Sequence, residues 1–104
     1  RAKDDVSPAD APRSYVAVVN NFALPVEITI TGGGTTIRLG TVHPGMSATY
    51  VLPPVMVNAG STVFSANPGN RSVYHSGELL IASGAVVDMN VASVLFNSTV
   101  TIRP

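Results

Sequence analysis

Between Pro25 and Gly34 the chain alternates apolar and polar residues with a period of two, then runs into three consecutive glycines. Val26, Ile28 and Ile30 fall on one side; Glu27, Thr29 and Thr31 fall on the other. Successive side chains of an extended strand point to opposite faces, so this pattern fits a half-buried strand and does not fit a helix. Gly32-Gly33-Gly34 supplies the positive φ of a tight hairpin turn. The same grammar recurs along the chain. Strand-type segments are expected over 14–20, 25–31, 35–42, 46–52, 61–66, 73–82, 85–91 and 97–103.

Within these segments the alternation assigns faces. Ile37 and Leu39 point inward with Arg38 outward, and Met46, Ala48, Tyr50 and Leu52 share one face. Leu79 and Ile81 point in, as do Val87, Met89 and Val91 opposite Asp88, and Val100 and Ile102 opposite Thr99 and Thr101. His43-Pro44-Gly45 suits a type II turn, with proline at i+1 and glycine at i+2. Pro53-Pro54 ends a strand because proline cannot donate to a ladder. Asn67-Pro68-Gly69-Asn70 and Ser83-Gly84 mark further turns. Seven or eight short strands at this spacing predict an all-β fold, an immunoglobulin-like antiparallel β-sandwich over residues 14–104. Residues 1–13 carry charges, two prolines and one large aliphatic side chain, Val6. They hold too little apolar area to offset chain entropy and read as an extended leader or tether.

Composition narrows the function. A single core suffices for 104 residues, since a domain of this size buries about 65% of its unfolded surface. The absence of cysteine removes thiolate metal sites, disulfides and thiol nucleophiles. No apolar run reaches the length of a transmembrane helix, so no transmembrane segment is expected, and peripheral membrane association stays open. A net charge of zero offers no basic face for nucleic acid. Six of the twelve charged residues lie in the first thirteen positions, and Lys3 is the only lysine. The body must therefore present Ser, Thr, Asn and Gly to water. Sheets usually guard their edges with lysine, so an edge without it invites cover or extension by a partner strand.

The side chains that could carry chemistry do not converge in the sequence. His43 and His75 are the only histidines, too few for a zinc site. Ser76 follows His75 with Asp88 downstream, yet strand neighbours point to opposite faces and no nucleophile elbow is present. Glu27 and Glu78 could in principle pair for acid–base glycoside chemistry, but both fall on outward strand positions and read as solvated strand faces. Gly32–Gly34 lacks the helix and lysine of a phosphate cradle. Asn70-Arg71-Ser72 and Asn97-Ser98-Thr99 match the N-glycosylation pattern, which matters only in a eukaryotic secretory setting. No catalytic, cofactor-binding or metal site is expected, and the chain reads as a non-enzyme. Two connections are unusually apolar: Asn21–Pro25, and the run from Pro53 through Val57. Phe22, Leu24, Val55 and Met56 are the candidate protein-docking residues, because loops normally prefer polar side chains.

Val16-Ala17-Val18-Val19-Asn20-Asn21, Pro25-Val26-Glu27-Ile28, Arg38-Leu39-Gly40-Thr41-Val42 and Ala48-Thr49-Tyr50-Val51-Leu52-Pro53 together resemble a group of small uncharacterised bacterial exported β-sandwich domains. Asn67-Pro68-Gly69, Ser76-Gly77-Glu78 and Ser98-Thr99-Val100 resemble the group's second half, so the likeness spans about residues 15–103. Ser83-Gly84 stands where the group's pattern has Pro-Gly. The resemblance implies a periplasmic or extracellular place in the bacterial envelope, in the manner of a lipoprotein. It implies a non-catalytic accessory subunit that docks onto a larger membrane-associated complex, photosynthetic or respiratory ones included. A carbohydrate- or ligand-binding module is the alternative; its aromatic side chains would come from Phe22, Tyr50, Phe64, Tyr74 and Phe96, besides Tyr15.

Overall fold

The structure is a computed structural model that describes residues 13–103. The leader expected over 1–13 thus lies outside the described residues, except for Arg13. Nine strands follow in order: β1 (Tyr15–Asn20), β2 (Val26–Gly32), β3 (Thr35–Val42), β4 (Ser47–Val51), β5 (Ser61–Asn67), β6 (Tyr74–His75), β7 (Leu79–Leu80), β8 (Val86–Val91) and β9 (Thr99–Arg103). Single 3-10 turns occupy Pro54–Met56 and Leu95–Asn97. One sheet has the order β4-β1-β8-β9. The other has the order β3-β2-β5-β6, with β7 also pairing β5.

The expected all-β class holds, with two corrections. The expected 73–82 strand is split into β6 and β7, which raises the strand count to nine. Ser76 causes the split. Its backbone N–H donates to the Phe64 carbonyl, while its hydroxyl accepts the Phe64 N–H at 2.9 Å. A side chain thereby takes the place of a ladder partner. The second correction is direction. β1 pairs β4 antiparallel but β8 parallel, from Tyr15↔Val86 to Asn20↔Val91. Alternation says which face a residue takes and nothing about the direction of its neighbour.

Between the sheets lies the core. Val16 and Val18 of β1, Val87, Met89 and Val91 of β8, Val26, Ile28 and Ile30 of β2, and Phe64 of β5 are fully or almost fully buried. Each lies at the inward phase of its strand's alternation. β3 needs an adjustment, because Ile37 and Leu39 are odd-numbered while Val42, also inward, is even. The pairing Ile28↔Gly40 and Thr29↔Arg38 leaves Leu39 as an extra residue, a β-bulge that resets the phase. Where β2 meets β3, Gly33 and Gly34 take φ of 57° and 80°. Both values are positive, as in a two-residue type I′ hairpin. Gly32 belongs to the strand, and a Cβ there would lie 2.8 Å from Thr62 Cγ2 and 3.0 Å from Met56 Sδ.

β3 and β4 lie against each other at one side of the sandwich. Tyr50 of β4 lies on Gly40 of β3, so close that a Cβ at Gly40 would fall 2.7–2.9 Å from three ring and hydroxyl atoms. On the opposite side Leu95 and Phe96, from the turn ahead of β9, line a common groove with Tyr74 and His75 of β6.

Candidate functional site

The loops gather at two ends of the strands. β1 ends at Asn20 and β2 begins at Val26, so the 21–25 connection lies at one end. The turn before β4 and the connection from β8 to β9 join it there: the Asn20 N–H donates to Met46 O and the Asn21 N–H to Val91 O. The 52–60 connection lies at the other end, because Val51 pairs with Tyr15 at the start of β1.

This geometry separates the four docking residues suggested by the sequence. Phe22 and Leu24 lie at the first end; Val55 and Met56 lie at the second, about 20 Å away along a strand of six or seven residues. Met56 is fully buried and packs over Gly32, which removes it from any surface. Phe22 is half-buried against the core, whereas Leu24 and Val55 are exposed. The 3-10 turn at Pro54–Met56 points one apolar side chain in and its neighbour out, which loop composition could not foretell.

The first end is nonetheless apolar. Leu24 is joined there by Met46, 59% exposed, and Val94, 51% exposed. Met46 had been expected inside a strand; β4 begins one residue later and leaves Met46 in the turn. The connection that presents Leu24 is held by Asn20, a fully buried polar side chain. Its Nδ2 donates to Leu24 O and to Val42 O, both at 2.9 Å, and its Oδ1 accepts the Phe22 N–H at 2.8 Å. This Asx turn satisfies the loop backbone inside the protein and fixes what the loop displays. The Asn20-Asn21 pair ahead of Phe22 was the available sequence signal.

On the β9/β6 side, Phe96 is 87% exposed beside a groove of about 420 Å³ lined by Ser72, Val73, Tyr74, His75, Leu95 and Phe96. Burial pushes the Tyr74 hydroxyl pKa up. Of the aromatic residues considered for ligand contact, Phe64 is buried and Tyr50 covers Gly40, which leaves Phe96 as the prominent exposed ring.

The titratable side chains stay apart. Ser76 faces the core, and His75 instead meets Ser65, with Oγ and Nδ1 3.1 Å apart on the outer face of the second sheet. Asp88 lies on the other sheet, where Arg103 donates from Nε and Nη2 to both carboxylate oxygens at 2.6 and 2.8 Å. The hydrogen bonds from Arg103, and its charge, hold the Asp88 carboxyl below its usual range. Glu27 pairs with Arg38 at 2.9 Å near the Asn67 end of β5, whereas Glu78 precedes β7 at the other end. His43 sits exposed in its turn. Among the described residues no helix is long and apolar enough to cross a membrane.

No family model matches the chain, and no curated protein does. Among solved structures it is similar to one described as "NMR structure of the protein from Eubacterium rectale", at a TM-score of 0.58 and 13% identity over 94% of each chain. At that identity the likeness concerns the fold alone, and it extends over nearly the whole of both chains.

Proposed function

We propose that this chain is a non-catalytic docking module on an immunoglobulin-like plan, which attaches to a protein partner through the loop end that carries Leu24, Met46 and Val94. The observation behind this reading is the exposure of three large apolar side chains on connections of one end; the buried Asn20 holds the connection that carries Leu24, and its backbone N–H donates to Met46 O. Exposed apolar patches on monomeric domains are small unless something binds them. The proposed setting is the periplasmic face of a bacterial envelope, as an accessory subunit of a larger membrane-associated complex, photosynthetic or respiratory. The triple variant Leu24→Ser, Met46→Ser, Val94→Ser tests it by co-purification from native membranes. We expect the associated complex to be lost while the folded spectrum is kept. Equal recovery of the same complex with the variant would refute the docking end.

A second reading, a carbohydrate- or ligand-binding module of the envelope, draws on one observation. The groove beside Phe96 and Tyr74 has a volume within the range of small-molecule sites. A glycan-array signal lost in Phe96→Ser would favour it over docking.

A further inference from the structure

The chain has three methionines and no cysteine, so its only sulfur atoms are three thioethers, and they stand in unlike surroundings. Met56 is fully buried, with its Sδ 3.0 Å from where a Cβ at Gly32 would stand. Met89 of β8 lies in the core and is 1% exposed. Met46, in the turn ahead of β4, is 59% exposed. Residues 1–12 contain no methionine, so this comparison takes in every sulfur of the chain. The backbone around Met46 is fastened independently of its side chain. Its N–H donates to His43 O and its carbonyl accepts the Asn20 N–H, both at 3.0 Å. Gly45, at a φ of 75°, donates to Asn20 O at 2.8 Å and ties the same turn to the end of β1. Chemistry at the Met46 thioether therefore alters the surface without unmaking the turn beneath it.

We infer that Met46 is an oxidation site, at which a hydroperoxide switches off the apolar loop end. The switch rests on the docking reading given above; the selectivity for Met46 does not. The Met46 sulfur donates an electron pair to one peroxide oxygen. The S–O bond forms as the O–O bond breaks, and the second oxygen of hydrogen peroxide leaves as water with both protons. Sulfur gives up two electrons and the peroxide takes them. The product is methionine sulfoxide, which one reductase for each epimer returns to the thioether. Access separates the three sulfurs. Met46 meets the peroxide directly, whereas Met56 and Met89 must wait for the core to open, a rare event in a folded domain. The sulfoxide is polar where the thioether was apolar. Met46 shares its end with Leu24 and Val94, and a sulfinyl oxygen pressed among them against an apolar partner loses its water without a donor to replace it.

The whole chain, treated with hydrogen peroxide and then cleared of it by catalase, tests both parts. Peptide mass spectrometry should find one added oxygen on Met46 while Met56 and Met89 stay unmodified. In urea all three should react alike; selectivity that persists there would overturn burial as its cause. The oxidised chain should keep its circular dichroism spectrum and recover the native complex about tenfold less well or worse, and the two sulfoxide reductases should restore recovery. For Met46→Leu, recovery before and after peroxide should be equal. Oxidation of Met56 or Met89 as fast as Met46 in the folded chain would overturn the site. An oxidised chain that keeps the complex lost by the Leu24→Ser, Met46→Ser, Val94→Ser variant would overturn the switch and leave the docking end standing. A triple variant that keeps the complex would overturn the docking end and the switch together, leaving Met46 as a selective oxidation site alone.

Discussion

Asn20→Ala is the most informative single change, because one fully buried side chain makes three hydrogen bonds, one of them buried throughout. Its amide spans the first residues of the β1–β2 connection and the end of β3, with heavy-atom distances of 2.8–2.9 Å. Each such bond contributes about 1 kcal/mol net, and a buried partner left unsatisfied costs about 1–3 kcal/mol. The Val42 carbonyl bond is buried throughout, whereas the Leu24 and Phe22 bonds are only part-buried and regain some water. The loss should therefore be about 3–4 kcal/mol, a large share of the roughly 5–15 kcal/mol that holds a domain of this kind together. At roughly 4–8 °C per kcal/mol, Tm should fall by about 12–30 °C. Urea unfolding followed by circular dichroism would measure it, with an unchanged m-value showing that the native compactness survives. Asn20→Asp supplies the control on mechanism. Two carbonyls and burial disfavour its ionised form, so its folded pKa is raised above the unfolded value. The raised sign means that this variant gains stability as pH falls through the folded pKa and loses it as pH rises. A cost of less than about 1 kcal/mol for Asn20→Ala, or an Asn20→Asp variant indifferent to pH, would refute the assignment of Asn20 as the fastener of this end.

Two other predictions address the opposite side and the surface. Gly40→Ala should cost about 1–3 kcal/mol by driving Tyr50 off β3, and the cost should shrink markedly in a Tyr50→Ala background, a coupling that a double-mutant cycle reads directly. Asp88 has a lowered folded pKa, so the contribution of its pair with Arg103 is present above the ordinary carboxylate pKa of about 3.9 and is lost as pH falls through the lowered value. NMR titration of the Asp88 carboxyl should find its midpoint below that of a free aspartate, and Arg103→Gln should return it to the ordinary range.

Much of the fold was legible in the sequence because alternation is a local property. Val26, Ile28, Ile30, Val87, Met89 and Val91 all lie at the inward positions that a period of two assigns them, and Glu27, Arg38 and Asp88 face outward. The hairpin at Gly33-Gly34 and the turn at Pro44-Gly45 followed from residues that accept the required φ. Less of the candidate site could be read. Met56 and Val55 are neighbours of similar hydrophobicity, and only the 3-10 turn beneath β2 decides that one is core and the other surface. Phe96 resembles a core residue by type, and only the 3-10 turn that buries its neighbour Leu95 decides that it is exposed, whereas Leu80 falls on the outward phase between Leu79 and Ile81.

The sequence by itself determined the strand class, the faces of most strands and the positions of the tight turns, since each depends on residues within a few positions of one another. The tertiary structure alone decided that β1 runs parallel to β8, that Ser76 breaks one strand into two, and that Phe22 and Val55 belong to opposite ends. These depend on contacts between residues twelve or more positions apart, and the free energy of such contacts is set by which surfaces meet, a quantity that no local pattern encodes.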